Sequence, residues 1–221
     1  MNIFIVYAHP EPQSFLALLK NRTIEVLTQQ GHSLQLSDLY AMRFKAAADP
    51  GDFTERYDPA HFDLVAEQAH AAQHGTFAPD ILQEQRKLRW ADTVLFYCPL
   101  WWYSVPAILK GWIDRVLAAG FAYGPKPALV GKRAMFTVTT GGQARPFTPE
   151  KRVAIIDILD HIQRGTLHLC GLSVLPPFAA YGGDHTTREQ SQQYLLQYTQ
   201  VLSALPQIVP IDYSQPGGYA F

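Results

Sequence analysis

The sequence is short of most signals that would name a function outright. It has two cysteines, Cys98 and Cys170, each in an apolar stretch. They lie too far apart to read as a redox or metal pair. The expectation is two buried free thiols in a reducing cytoplasm. The start of the chain has no basic region followed by a long apolar run, because His9 and Pro10 come too early. No stretch approaches the ~20 apolar residues of a membrane span, so no stable membrane insertion is expected. Net charge is only −1 and no basic run occurs, which argues against nucleic acid as a partner. There is no G-x-G-x-x-G. Gly131-Lys132 lacks the glycine five positions back that an NTPase loop needs, and Arg133 follows where Ser or Thr belongs. Neither a nucleophile elbow nor a recognisable pair of acid/base carboxylates is present. His70 and His74 are four apart with Glu67 nearby, but no third ligand is placed, so the reading is a solvated pair and no metal.

What is there is apolar and regularly patterned. Hydrophobic residues are 48% of 221, enough for one large folded domain over residues 1–221. Asn2 to Tyr7, Ser33 to Leu39, Thr93 to Cys98, Arg133 to Thr139 and Leu172 to Leu175 read as strands. Helices fall between them. Ser14 caps one from Phe15 to Gln30 that Gly31 ends. Asp58-Pro59 reads as the cap and first turn of another running to Gln73. Further helices are expected over 80–90, from Pro106, over 149–169 with Gly165 as an interruption, and over 186–205. Residues 40–78 form an irregular insertion, and 206–221 read as an irregular tail. Five apolar strands alternating with helices predict an α/β fold, a five-stranded parallel sheet with helices on both faces.

Ligands of such sheets sit beyond the carboxyl ends of the strands, which selects three loops. The first, AHPEPQSF, runs from a strand into a helix N-terminus, where free amides and the dipole favour an anion. Ser14 and His9 add donors. An ordinary capped turn fits the same residues. The second, PLWWYSVP, sets Trp101, Trp102 and Tyr103 directly after a buried strand. Three consecutive large aromatics cannot all enter one core, and a flat platform suits a planar ring system. Packing beneath loops or at a subunit interface is the alternative. The third, TVTTGGQ, ends a strand in paired glycines that allow close backbone approach to a ligand, or simply a tight turn.

With these loops laid out, the chain resembles the NAD(P)H:quinone oxidoreductases of the DT-diaphorase type and their bacterial relatives. The likeness runs through AHPEPQSF, SDLYAMRF, FAPDILQEQRKLRWAD, FYCPLWWYSVPAILKGWIDRV, FAYG, TTGG and LHLCG. It implies a flavodoxin-like fold, a homodimer, FAD (with FMN as the alternative) and NADH or NADPH as co-substrate. It implies that His9, Ser14, Phe15 and Leu16 hold the cofactor's phosphates and ribityl chain, with Leu16 standing where the family often has Asn. Pro99, Leu100, Trp101, Trp102 and Tyr103 would line the flavin ring, and Thr139, Thr140, Gly141 and Gly142 would bond its pyrimidine edge. On the substrate side it implies Trp102, Tyr103, Phe147 and His185, with Tyr123 reaching in from a partner subunit. Phe147 stands where the animal enzymes have a Tyr, and no His follows until His161, so the family's proton relay is not carried over.

The expected activity is hydride transfer from a nicotinamide, stacked against Trp102 and Tyr103, through the flavin to a quinone-like acceptor. The Gly141 and Gly142 amides would support the reduced ring. Two other readings share the fold: a regulatory flavoprotein subunit of a membrane transport system, as in potassium efflux, and an FMN-dependent azo or nitro reductase. The 40–78 insertion favours the enzyme.

Overall fold

A computed structural model describes residues 1–142 and 154–214 of the chain. Strands β1 (Asn2–Tyr7), β2 (Ser33–Asp38), β3 (Thr93–Pro99), β4 (Arg133–Thr140) and β5 (Ser173–Val174) form a parallel sheet in the order β2-β1-β3-β4-β5. A sixth strand, β6 (Phe178–Tyr181), continues along β4 beyond β5. Among the described residues no helix is long and apolar enough to cross a membrane.

The pattern of the central strands explains the layering. All seven residues of β3 are buried, as both faces of an inner parallel strand must be. Successive side chains point to opposite faces. Phe4, Val6, Phe96, Phe136 and Val138 meet helices α3 (Pro79–Trp90), α4 (Ala107–Val116) and α5 (Ile155–Ile162). Ile3, Ile5, Tyr7, Leu95, Tyr97 and Met135 meet α1 (Phe15–Gln29) and α6 (Arg188–Ser203).

The α1/α6 face contains a buried hydroxyl cluster. Tyr97 and Tyr198 oxygens lie 2.6 Å apart, Thr137 Oγ1 is 2.8 Å from Tyr198, and Thr23 Oγ1 is 2.6 Å from Tyr97. Thr23 also reaches the Leu19 carbonyl at 3.0 Å. All four residues are fully buried, so each hydroxyl needs these partners to offset its desolvation. The cluster joins β3 and β4 to α1 and α6.

The insertion is held by charge. Arg115 of α4 is buried and bonds Asp52 at 2.9 Å, Asp80 at 2.8 Å and the Lys45 carbonyl at 2.8 Å. The main chain at Ala46 crosses α4 so closely that a Cβ at Gly111 would lie 2.0 Å from its oxygen. Helix α2 (Leu64–His74) then packs through Ala71 with Phe53, Phe77 and Ile81. Burial pushes the Cys98 thiol up strongly and the Cys170 thiol up to about 11. Both are free and buried, as expected.

Three readings differ from expectation, and the tail is irregular as expected but not loose. Asp58 does not cap α2. It accepts the Ala60 and His61 amides in a turn, and Asp63 caps the helix by accepting from Val65 and Ala66. The later start frees Phe62 to face Phe53, their rings 6.3 Å apart. The fifth strand is split because Pro176 and Pro177 have no N–H for the ladder; pairing resumes at Phe178. Gly165 does not break the helix after α5, which widens instead into a π-helix over Gln163–His168. The tail to Ser214 has fixed contacts. Arg133 donates to the carbonyls of Leu205, Pro206 and Ile208, and the Ile211 amide donates to Val174 at 2.8 Å.

Replacing Tyr198 by Phe leaves Thr137 and Tyr97 short of a partner in a dry site. Urea titration is expected to show a loss of about 1–3 kcal/mol with an unchanged m-value. A loss under about 0.5 kcal/mol would mean that the cluster is not a significant tie.

Candidate functional site

The three expected loops meet at the carboxyl end of the sheet. The β1, β3 and β4 ends are locked level, since the Ala8 amide donates to Tyr97 and the Leu100 amide to Thr139, each at 2.8 Å. Beyond them lies a cleft of about 470 Å³ lined by residues of all three loops, among them His9, Leu100, Trp102, Thr140, Gly141 and His185. A smaller cavity of about 240 Å³ adjoins it, bounded by Trp102, Tyr103, Gly142 and Ile158.

At the first loop, Ser14 is buried, and its hydroxyl accepts from the Ala17 amide at 3.2 Å and lies 3.4 Å from the Tyr7 hydroxyl. His9 Nδ1 is held by Glu11, 3.0 Å from its amide and 3.2 Å from its carbonyl, which leaves Nε2 as the ring nitrogen not engaged by Glu11. Phe15 and Leu16 turn inward into the core. They offer a ligand backbone alone, and the Phe15 amide already donates to the Asp184 carboxylate at 2.6 Å.

The second loop is a tight two-residue turn. Trp101 and Ser104 exchange both backbone bonds at 3.0 Å. Trp102 and Tyr103 between them have φ of 52° and 56°. Two consecutive left-handed residues make the mirror-image turn that normally takes Asn-Gly. A bulky side chain in this region costs about 1–2 kcal/mol per residue. Among the described residues Trp102 gains no burial that would offset this, since it is 99% exposed, and Trp101 and Tyr103 are partly exposed as well. Strain of this kind clusters at functional sites.

In the third loop, Thr139 and Thr140 are buried and the Thr140 hydroxyl donates to the Gly142 carbonyl at 2.7 Å, closing the turn. A Cβ built at Gly141 would meet nothing within 4 Å, so the backbone there lies open to the cleft. The Gly182 amide donates to Gly142 at 2.9 Å and ties in the β6–α6 loop.

The structure therefore gathers His9, Pro99, Leu100, Trp101, Trp102, Thr139, Thr140, Gly141 and His185 around one cleft, with Tyr103 and Gly142 in the adjoining cavity. Tyr123 is elsewhere: it borders a separate apolar groove with Leu64, Val65, Ile113 and Leu169. Phe147 lies outside the described residues. Sequence reasoning missed Gly183 and Asp184. The signal was the Gly-Gly pair before His185: Gly182 and Gly183 both have positive φ, bending β6 back over the cleft. His70 and His74 stack at 4.2 Å on α2, away from the cleft.

A platform of exposed aromatics beside an open glycine backbone fits the ring and polar edge of a flavin, with His9 at the same cleft; Ser14, Phe15 and Leu16 are buried and do not line it. Comparison with known proteins agrees. Residues 1–202 match the family described as flavodoxin-like fold. The chain is 42% identical over 195 residues to a ribosyldihydronicotinamide dehydrogenase-like protein of Penicillium crustosum, covering 82% of this chain and 73% of that one. It is 39% identical over 221 residues to the ribosyldihydronicotinamide dehydrogenase [quinone] of Mus musculus, covering 97% and 96%. A candidate quinone reductase of known structure from Klebsiella pneumoniae superposes with a TM-score of 0.91 at 44% identity, over 96% of this chain and 87% of that one. The chain belongs to the flavodoxin-like family, in the branch that holds the ribosyldihydronicotinamide and NAD(P)H quinone dehydrogenases.

Proposed function

We propose that the protein is a flavin-dependent oxidoreductase that reduces quinone-like acceptors with a reduced nicotinamide: NAD(P)H + H⁺ + quinone gives NAD(P)⁺ + hydroquinone. The observation that carries the reading is the strained, fully exposed Trp102 beside the open Gly141 backbone at the end of β4. A bound flavin would supply the two-electron chemistry, accepting hydride from the donor and passing it on. The chain's own residues bind and orient. Trp101, Trp102 and Tyr103 form the stacking wall, Leu100 and Pro99 shape the floor, and the Gly141 and Gly142 backbone faces the ring's polar edge. His9, which lines the cleft, would meet a phosphate of the bound flavin, and the loop around Ser14 would stand behind it. His185, exposed at the rim, can exchange a proton with water beside the acceptor.

FAD is the proposed cofactor. The likeness to the NAD(P)H quinone dehydrogenases supports FAD over FMN, and His9, Asp184 and His185 supply polar groups to the cleft. A homodimer is proposed as well. Tyr123 sits by an apolar groove whose Val65 and Leu169 are exposed, and a second copy covering that groove could bring Tyr123 to the neighbouring site. The buried free thiols suit action in the cytoplasm.

Three measurements test these readings. Stopped-flow mixing with NADH, NADPH and ribosyldihydronicotinamide should bleach the flavin with at least one donor; failure with all three overturns the enzyme reading. Mass spectrometry of the released flavin decides between FAD and FMN. Sedimentation velocity of Leu169→Glu is expected to show a monomer where the parent is a dimer, and a monomeric parent refutes the dimer.

Trp102→Gly separates strain from use. It removes a left-handed tryptophan that packs on nothing, so unfolding free energy should rise by about 1 kcal/mol. It also removes the stacking wall, so kcat/KM for the acceptor should fall about tenfold. A variant both less stable and equally active would contradict both halves of the argument.

A further inference from the structure

A carboxylate stands in the cleft wall where a cofactor phosphate would come. Asp184 lies on the short turn Gly183–His185 between β6 and α6, is exposed, and lines the same cleft as His9. The backbone puts it there. The Gly182 amide donates to Gly142 at 2.9 Å, and the His185 amide to Gly182 at 2.8 Å. A Cβ at Gly183, whose φ is +47°, would lie 3.1 Å from the Thr140 oxygen, so glycine lets this turn press onto the end of β4. From the turn the Asp184 carboxylate reaches across to α1 and accepts the Phe15 amide at 2.6 Å.

That amide is one of the donors that the start of a helix leaves without an internal partner. Its neighbours are met in the same way: the Gln13 amide by the Glu11 carboxylate at 2.7 Å, and the Ala17 amide by the Ser14 hydroxyl at 3.2 Å. The chain thus sets its own negative charge at this end of the cleft. The buried Tyr7 hydroxyl, beside Ser14, feels it. Burial is the main cause that raises its pKa, the Ser14 bond lowers it, and the charges of Asp38, Asp184 and Glu11 raise it further. A phosphate that takes the Phe15 amide must displace the Asp184 carboxylate, and one that stays beside His9 shares the cleft wall with it. Either way it meets a like charge, and the penalty grows with the charge on the phosphate.

We propose that Asp184 is a specificity-determining residue of the cofactor site, whose carboxylate disfavours the doubly charged phosphate of FMN and so selects FAD. The inference rests on the reading above that a flavin binds this cleft with a phosphate at His9. The terminal phosphate of FMN is a monoester and carries about −1.5 to −2 near neutral pH. Each phosphate of FAD is esterified on both sides and carries a single charge. At an exposed site a like charge changes affinity by about threefold per unit of charge it faces, hence about tenfold for a dianion.

The test compares the full chain, stripped of flavin, as parent, Asp184→Asn and Asp184→Glu. The Kd values of riboflavin, FMN and FAD are read by flavin fluorescence. Riboflavin has the ring and ribityl chain but no phosphate. Asp184→Asn keeps an oxygen to accept the Phe15 amide and removes only the charge. It should leave riboflavin within about twofold of the parent, tighten FAD about threefold and tighten FMN about tenfold. Asp184→Glu keeps the charge and should keep the parent's ratio of FMN to FAD. Equal gains for FMN and FAD in Asp184→Asn, or weaker binding of either, overturn the inference and leave the flavin site standing. So does a riboflavin Kd that moves with the other two, because the substitution then acts on the ring and not on the phosphate. A ratio in Asp184→Glu that shifts as far as in Asp184→Asn overturns it as well. If the parent binds none of the three flavins, the reading of the site itself fails, and the inference with it.

Discussion

Four hydroxyls in the dark interior decide where the cleft's walls stand. Tyr97 and Thr137 belong to the two strands whose ends form the cleft floor, and Thr23 and Tyr198 belong to the two helices packed beneath them. Apolar contact alone lets a helix slide along a sheet at small cost. A buried hydroxyl that loses its partner is far less forgiving, so the cluster fixes both helices in register. That matters because α1 and α6 begin at the cleft. The loop before α1 carries His9 and Ser14, and the loop before α6 carries Asp184 and His185. Their tops are joined again by the Phe15 amide on the Asp184 carboxylate. The rim is thus positioned twice, from below by hydroxyls and at the surface by charge.

The aromatic turn follows a different logic. Its backbone is held in a conformation its residues disfavour, and the Trp102 side chain at its tip is fully exposed. The turn persists because the surroundings are rigid: β3 is buried along its whole length, and α4 behind the turn is anchored through Arg115 to the insertion. The stable parts of the molecule hold one unstable part in place, and the unstable part borders the cleft.

Much of this was legible in the sequence. The strands were plain because central parallel strands are unbroken apolar runs, and the cap at Ser14 and the stop at Gly31 bracket α1 correctly. The three ligand loops followed from the strand ends alone. What could not be read were features set by distant partners. Asp58 and Asp63 are equally good caps, and the choice belongs to Phe62, whose place is beside Phe53 across the insertion. The bend that brings Asp184 to α1 depends on a strand, β6, that exists only by pairing with β4. The left-handed pair at Trp102 and Tyr103 contradicts local preference, so no local rule would place it.

The split at Pro176 and Pro177 also bears on how the molecule keeps to itself. An open parallel sheet ends in a strand with unpaired backbone groups, a ready template for another chain. Here that strand is two residues of β5 and four of β6, with two prolines between that can donate to nothing. The tail then lays Ile211 against Val174. A neighbouring chain meets a short, interrupted and partly covered border there, so an unwanted sheet has little length along which to grow. The same irregularity that hid the last strand from the sequence guards the protein against aggregation.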